Sequence, residues 1–400
     1  MAELPGPAVD AFDVRHPAYG SGSLADVLPS VLACLGVPEA TDRLGLRPAL
    51  GGVRRVAVLL VDGLGHFQVP VAGRVAPTLA DLATGRLGLA AALTCGFPST
   101  TPASLVSLGT GAPPGQHGVL GFTVRMPGTD RVLNHTRWEA DPDPAQWQPV
   151  RTRLAEAAAA GVAVTVVNRP EFAGSGLTAA AYRGAAYRGA TGTDELADGM
   201  LAALTAGGGP TLVYGYEPEL DRAGHLHGVD SLPWRAAARE VDRLLTRLVA
   251  GLPSDAALLV TADHGQLDVP PEHRFDLDAD DRLRAGVAVV AGEPRVRYLH
   301  AVPGAAEDVA AAWRSVLGPA AWVVGRDEAV AAGWFGPLRD GHLERIGDVV
   351  AVCRDSYAVL ATRTEPEIVA RLVAYHGSWT AVEMTIPLLV ATGSAVGGRR

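Results

Sequence analysis

Short, uninterrupted apolar runs separated by long amphipathic stretches constrain this chain more than any single motif does. Residues 56–61, 162–167, 211–214, 256–261 and 287–291 are runs of strand length, and 145–160, 194–206 and 233–250 have helical length and spacing. A strand that is apolar at consecutive positions is covered on both faces, and the alternation with helices supplies the covers. The expected fold is therefore α/β, with a mostly parallel central sheet and helices on both faces. In such sheets ligands bind beyond the carboxyl ends of the strands, so chemistry is sought in the polar residues that directly follow the apolar runs.

A chain of 400 residues, 48% of them hydrophobic, can bury a core large enough for one big domain or a domain with an insert. Residues 1–52, rich in Pro and Gly, are expected to wrap the main domain, which takes 53–292 and 338–400. Residues 293–337 read as strand, helix (307–317), strand (322–324) and a Gly-rich connection, a small inserted α+β lobe. The formal charge of -9 and pI near 5.7 argue against a nucleic-acid-binding surface, although bound cations can still attract a small anion to an acidic protein.

Cys34, Cys95 and Cys353 lie far apart and form no CxxC pair, so neither a disulfide framework nor a thiolate zinc site is expected. The start of the chain lacks a basic segment followed by an apolar one, and no apolar run reaches the ~18 residues that span a bilayer. No membrane association is expected, and a cytoplasmic location follows. All 34 basic residues are arginine, which suggests a GC-rich bacterial genome.

The first run ends in Val61-Asp62-Gly63-Leu64-Gly65, and the fourth in Thr261-Ala262-Asp263-His264-Gly265. After the third comes Asp221-Arg222-Ala223-Gly224-His225, a carboxylate and an imidazole that one helical turn would aim at the same point. His376-Gly377 precedes a further apolar run at 386–391. Each alone reads equally well as a turn, a cap or a hydrogen-bonded histidine. Together, three carboxylates and three imidazoles at loop positions suit zinc, with manganese or iron as alternatives, in a catalytic rather than a structural site. Six donors exceed one tetrahedral ion and suit two divalent metal ions, which can stabilise both the attacking and the leaving oxygen of an in-line displacement.

A nucleophile candidate lies in Phe97-Pro98-Ser99-Thr100-Thr101-Pro102, where a strand (89–94) gives way to a helix running to about Leu108. A hydroxyl at a helix N-terminus can attack while backbone N–H groups hold a phosphoryl oxygen. The same pattern also describes an ordinary Ser/Thr cap with a following proline.

In order, Leu60-Val61-Asp62-Gly63, Pro98-Ser99-Thr100-Thr101, Gly109-Thr110-Gly111, Gln116-His117-Gly118, and then Asp221 to His225, Asp263-His264 and His376-Gly377 resemble the alkaline phosphatase superfamily, most closely its nucleotide pyrophosphatase/phosphodiesterase branch. The resemblance runs over about residues 54 to 392. It implies that Asp62, Thr101, Asp263 and His264 hold one metal and Asp221, His225 and His376 the other. It also implies a threonine nucleophile three residues after the proline, Thr101, and two in-line steps through a phosphothreonine. The substrate class would be a small phosphodiester or pyrophosphate.

Two departures from the family pattern are visible. The diesterases place an asparagine shortly after the His-Gly that follows the nucleophile helix, whereas His117-Gly118-Val119-Leu120-Gly121 runs into Phe122; Asn134 is the substitute candidate. Pro102 also stands where the family has an aromatic residue, and that offset leaves Thr100 as the alternative nucleophile.

Rival readings are a phosphomonoesterase or phosphonate hydrolase of the same superfamily, and a non-catalytic binding protein on this fold. The mutases use a serine with manganese, and a sulfatase needs Cys-x-Pro-x-Arg, a spacing that Cys95 does not meet. His117 and His227 are candidates to orient a ligand from outside. Oligomeric state is not legible.

Overall fold

The computed structural model describes residues 10–393; residues 1–9 of the expected wrapping segment and 394–400 of the expected main domain lie outside the described residues. The strands that matter here are β1 (Arg55–Val61), β2 (Gly88–Thr94), β3 (Ala163–Asn168), β4 (Ala186–Gly189), β5 (Thr211–Glu217), β6 (Ala256–Thr261), β7 (Val287–Glu293), β8 (Val296–Ala301), β9 (Ala321–Gly325), β10 (Val349–Cys353) and β11 (Thr385–Thr392). Seven of them form the central sheet in the order β2-β11-β6-β1-β5-β3-β4. The pairings of β6, β1, β5, β3 and β4 with one another are all parallel, and β11 runs antiparallel to both β2 and β6. The fold is thus α/β, mostly parallel in its main sheet, with helices on both faces.

Continuous apolar sequence explains why β1, β5 and β6 occupy the middle of that sheet. Val56, Ala57, Val58, Leu59, Leu60 and Val61 are all fully buried, as are Ala256 to Val260 on the neighbouring strand. Each such Val or Leu contributes about 1.5–3 kcal/mol on leaving water, so the strand ends are anchored where their polar residues emerge. The principal helices are α1 (Thr101–Thr110), α2 (Arg153–Ala159), α3 (Gly192–Thr205), α4 (Glu219–His227), α5 (Leu232–Gly251) and α6 (Ala306–Leu317). Pro102 starts α1 and Gly111, with φ of 64°, stops it in the left-handed conformation that closes many helices. Among residues 10–52, Leu24, Val27, Leu28, Val31 and Leu32 are buried in the main core.

The expected helix over 145–160 is broken in two, a single turn at Pro144–Trp147 and then α2. Pro149 is the reason: the residue before a proline is pushed out of the helical region, and Gln148 adopts φ of -116° and ψ of 92°. The run at 287–291 is also corrected. It forms part of β7, which belongs to a separate four-stranded sheet of order β7-β8-β10-β9 and is paired antiparallel throughout. A run of buried residues does not encode its partner, so periodicity alone could not separate the two sheets. This second sheet takes its strands from both sides of the 293–337 range and packs with α6 around Leu299, Val309, Trp313 and Ala351. Pro294 and Arg295 form the turn of the β7–β8 hairpin.

Arg345 and Asp348 lie three residues apart ahead of β10 and make separate contacts. Asp348 pairs with Arg326 at 3.2 Å, while the Arg345 guanidinium lies 3.5 Å from the Trp147 ring centroid and donates to the Gly118 and Trp147 carbonyls.

Candidate metal centre

The central strands aim their terminal carboxylates at one point. The Asp62 N–H donates to the Glu217 carbonyl at 2.9 Å, carrying the β1–β5 ladder one residue past the strand and fixing where Asp62 leaves it. Asp263 lies two residues past the end of β6. Its Oδ1 accepts from the N–H groups of Gly63 and His264, each at 3.1 Å, which ties the two loops together. Asp221 and His225 lie four residues apart on α4 and meet at 3.2 Å. His376 comes from the loop after the short strand Ala374–Tyr375, and its Nδ1 donates to the Ser99 carbonyl at 2.8 Å.

Thr101 is the first residue of α1, and its hydroxyl lies 3.1 Å from His264 Nε2. Thr100, one residue earlier, is fully buried, and its hydroxyl faces the buried Glu293 carboxyl rather than a candidate ligand. Asp62 Oδ1 and Asp263 Oδ2 stand 3.6 and 3.2 Å from that same His264 nitrogen. On the other side of the site, His225 Nε2 approaches His376 Nε2 to 3.2 Å, and Asp221 Oδ1 lies 4.0 Å from His376. Two groups of donor atoms result, Asp62, Asp263 and His264, and Asp221, His264 and His376; within each, the atoms lie within 4.8 Å of one another.

Burial and the crowding of like charges set the protonation preferences within the site. Burial, then the neighbouring Asp263 and Asp221 carboxylates, push Asp62 well above the ordinary carboxylate range, and burial raises Asp263 as well. Burial also opposes ionisation of Asp221, but the imidazoles of His225, His376 and His264 outweigh it and hold the carboxyl below its usual value. For His225, desolvation is overcome by Asp221, and its pKa rises. His376 goes the other way, because burial and the adjacent His264 both disfavour its imidazolium.

The residues fit a pair of divalent cations on this structure's own terms. Asp62 Oδ1 and Asp263 Oδ2 are buried carboxylate oxygens without a hydrogen-bond donor, an expensive condition that a cation relieves. The close Nε2 atoms of His225 and His376 repel unless a proton or a metal lies between them. Each imidazole has its other nitrogen engaged by a backbone carbonyl, Gly265 for His264, Ala374 for His225 and Ser99 for His376, which leaves every Nε2 available as a ligand.

Residues that the sequence did not single out complete the surroundings. The Tyr216 hydroxyl donates to Asp62 Oδ2, and Gln266 Nε2 donates to Asp221 Oδ1 at 2.9 Å. The signal for Tyr216 was a phenol near the end of a buried strand, since a buried hydroxyl needs a partner; Gln266 offered only its place after Asp263-His264-Gly265. Asn134 sits elsewhere: its carboxamide oxygen accepts from the Thr136 and Arg137 N–H groups and caps a short turn, and among the described residues no hydrogen bond joins it to Thr101. His117 is held by Ser107 at 2.9 Å and touches no candidate ligand, and His227 is exposed at the end of α4.

A model of the family described as type I phosphodiesterase / nucleotide pyrophosphatase matches residues 56–379. No curated protein sequence matches the chain significantly. Among solved structures, murine ectonucleotide pyrophosphatase / phosphodiesterase 5 superposes with a TM-score of 0.67 at 19% identity, covering 84% of this chain and 88% of that one. An inactive form of the same protein in complex with AMP gives 0.67 at 18% identity, with coverage of 85% and 88%. Phosphonoacetate hydrolase from Sinorhizobium meliloti 1021, in complex with phosphonoacetate, gives 0.64 at 18% identity, covering 85% and 91%. At these identities the likeness is one of fold.

Proposed function

From the premise that the chain belongs to the type I phosphodiesterase / nucleotide pyrophosphatase family, we propose that it hydrolyses a small phosphodiester or pyrophosphate with Thr101 as nucleophile and two divalent cations, zinc by choice of donors. The observation that carries this reading is the Thr101 hydroxyl at the N-terminus of α1, 3.1 Å from His264 Nε2 and beside two carboxylate oxygens that lack a donor. Asp62, Thr101, Asp263 and His264 would hold one cation and Asp221, His225 and His376 the other. Cations there would lower the pKa of the hydroxyl and neutralise charge on the transferring phosphoryl group.

The chain's own residues then do the following. Pro102 has no N–H and that of Ser104 donates to the Thr100 carbonyl at 3.0 Å, so the N–H groups of Thr101 and Ala103 are the first-turn donors that would hold a phosphoryl oxygen. The Thr101 Oγ forms a bond to phosphorus as the bond to the leaving oxygen breaks on the opposite side, giving a phosphothreonine and a released alcohol or phosphate. Water then attacks the same phosphorus in line, and Thr101 leaves as its hydroxyl. Tyr216 and Gln266 hold Asp62 and Asp221 in place throughout. Among the described residues no helix is long and apolar enough to cross a membrane. The three separated thiols suit a cytoplasmic enzyme.

The test is metal content together with turnover of bis(p-nitrophenyl) phosphate, p-nitrophenyl phosphate and phosphonoacetate by wild type and Thr101→Ala. Two metals per chain, with diester turnover that the variant loses, is the expected result. Dominant monoester or phosphonate turnover would move the substrate class and keep the nucleophile. A protein that takes up no metal and turns over none of the three would leave a binding protein on this fold.

A further inference from the structure

Glu383 is not in the candidate ligand set, yet it touches the loops of two candidate ligands. It lies in the short helix Ala381–Met384 and is fully buried. Its backbone carbonyl accepts from the N–H of Gly265, the residue after His264, at 2.7 Å. Its carboxylate accepts from the N–H of Ser378, two residues after His376, at 3.0 Å, and from the Thr380 hydroxyl. The loop after His264 is pressed hard onto this helix: a methyl group on Gly265 would meet the Val382 carbonyl oxygen at 2.0 Å.

Arg295 closes the other side of the same carboxylate. Its Nε donates to Oε1 at 3.0 Å and its Nη2 to Oε2 at 2.6 Å, with both side chains 0% exposed. The guanidinium comes from the turn of the β7–β8 hairpin, and its Nη1 donates onward to the Arg354 and Tyr357 carbonyls beyond β10. Beside the bond that the Ser378 hydroxyl donates to the Cys353 carbonyl of β10 at 2.6 Å, the second sheet thus reaches the metal centre through a planar, two-bond contact. Such a contact fixes orientation as well as distance, which a lysine or a single bond does not. A fully buried ion pair is a poor source of stability, because desolvation cancels most of the attraction. Orientation is what it supplies here.

We propose that Arg295 and Glu383 are positioning residues through which the second sheet sets the placement of His264 and His376 relative to each other. The inference rests on the proposed function in taking those imidazoles as ligands. Without the pair, the two loops would keep the stacking of the His264 and His376 rings, 3.6 Å between centroids, and the Gly265 contact to the Glu383 carbonyl, but would lose the carboxylate that ties Ser378 to the second sheet, and the Nε2 atoms would search a wider range before meeting a cation. Partners of ligands at this remove typically carry a factor of 10 to 100 in metal affinity or activity.

The test uses the full chain, before and after chelation. Glu383→Gln strands the Arg295 charge in the interior and could prevent folding, so the deciding variant is Arg295→Met with Glu383→Gln, which removes both charges at nearly constant volume. Amide hydrogen exchange over 264–266 and 376–380 is measured in the chelated protein, zinc affinity by titration calorimetry, and the melting temperature alongside. In the double variant we expect a cooperative melt, exchange at least ~10-fold faster in both segments with β1 unchanged, and zinc binding weakened ~10-fold or more. Acceleration at Gly265 is the telling sign, because its acceptor is a backbone carbonyl that the substitutions leave in place. A folded double variant with wild-type exchange and wild-type zinc affinity would overturn the proposal. Wild-type protein that binds no zinc would instead defeat the functional reading, and the exchange comparison would still decide whether the pair orders the two loops.

Discussion

Gly63 and Asp221 are in direct contact: a methyl group on Gly63 would lie 2.9 Å from both Cβ and Oδ1 of Asp221. Gly63 also holds φ of 70°, a conformation that side chains resist. This one glycine allows the loop carrying Asp62 to approach the helix carrying Asp221, and so brings the two groups of donors together. Gly63→Ala is expected to lower stability by about 1–2 kcal/mol from backbone strain and to weaken metal binding ~10-fold or more by displacing Asp221. Calorimetric titration with zinc, alongside a thermal melt, checks both; unchanged affinity would mean that the close approach has no bearing on the ligands.

Thr101 and Thr100 differ in where their hydroxyls point, and their alanine variants are expected to part accordingly. Thr101→Ala should retain both metals and lose turnover by about 10³-fold or more. Thr100→Ala removes a buried hydroxyl that faces Glu293 and no candidate ligand, and should leave most of the turnover. If Thr100→Ala is the inactive variant, the nucleophile assignment is reversed.

Tyr216 donates to Asp62 Oδ2, so Tyr216→Phe leaves a buried carboxylate oxygen without its hydrogen bond. Activity should fall ~10-fold, with metal affinity falling in parallel, while the fold persists because the ring stays in place. Wild-type affinity in the phenylalanine variant would show that the cation alone orients Asp62.

His135 makes stability depend on pH away from the metal centre. It is fully buried, its Nδ1–H donates to the Gly121 carbonyl at 2.8 Å, and its Nε2 accepts from the Trp147 indole at 3.1 Å. Burial pulls its pKa from 6.5 down to about 4. A depressed histidine pKa favours the folded state while both states are neutral, above pH 6.5, and that advantage is lost as pH falls from 6.5 toward 4, because the unfolded chain takes up the proton first. The shift corresponds to about 3 kcal/mol. His300, also drawn down to about 4 by burial, acts in the same direction. Melts at about pH 7.5 and about pH 5 should show the loss, and His135→Gln should be less stable at neutral pH but lose less on acidification. Parallel slopes for the two proteins would rule His135 out as a cause.

The central strands were legible because buried parallel strands require apolar residues at consecutive positions. β6 falls on the expected 256–261, and β1 begins one residue before the run at 56. The candidate ligands were legible for a related reason: Asp62 and Asp263 lie one and two residues past the ends of those strands, and Asp221 and His225 are separated by one helical turn. Element type was clear where the pattern was long, and failed where a local rule intervened, as at Gln148 and Pro149.

By itself, then, the sequence determined which segments must be buried and which polar residues emerge at their ends, since both follow from local patterns of solubility and backbone preference. Tertiary structure alone decided that β7 joins a second, antiparallel sheet, that Tyr216 serves Asp62 and Gln266 serves Asp221, that Asn134 caps a turn, and that Arg295 reaches Glu383 across 88 positions of sequence. These are contacts between residues whose neighbours in sequence say nothing about each other. They exist because burying polar groups forces each to find a partner, and only the packed chain determines which partner is within reach.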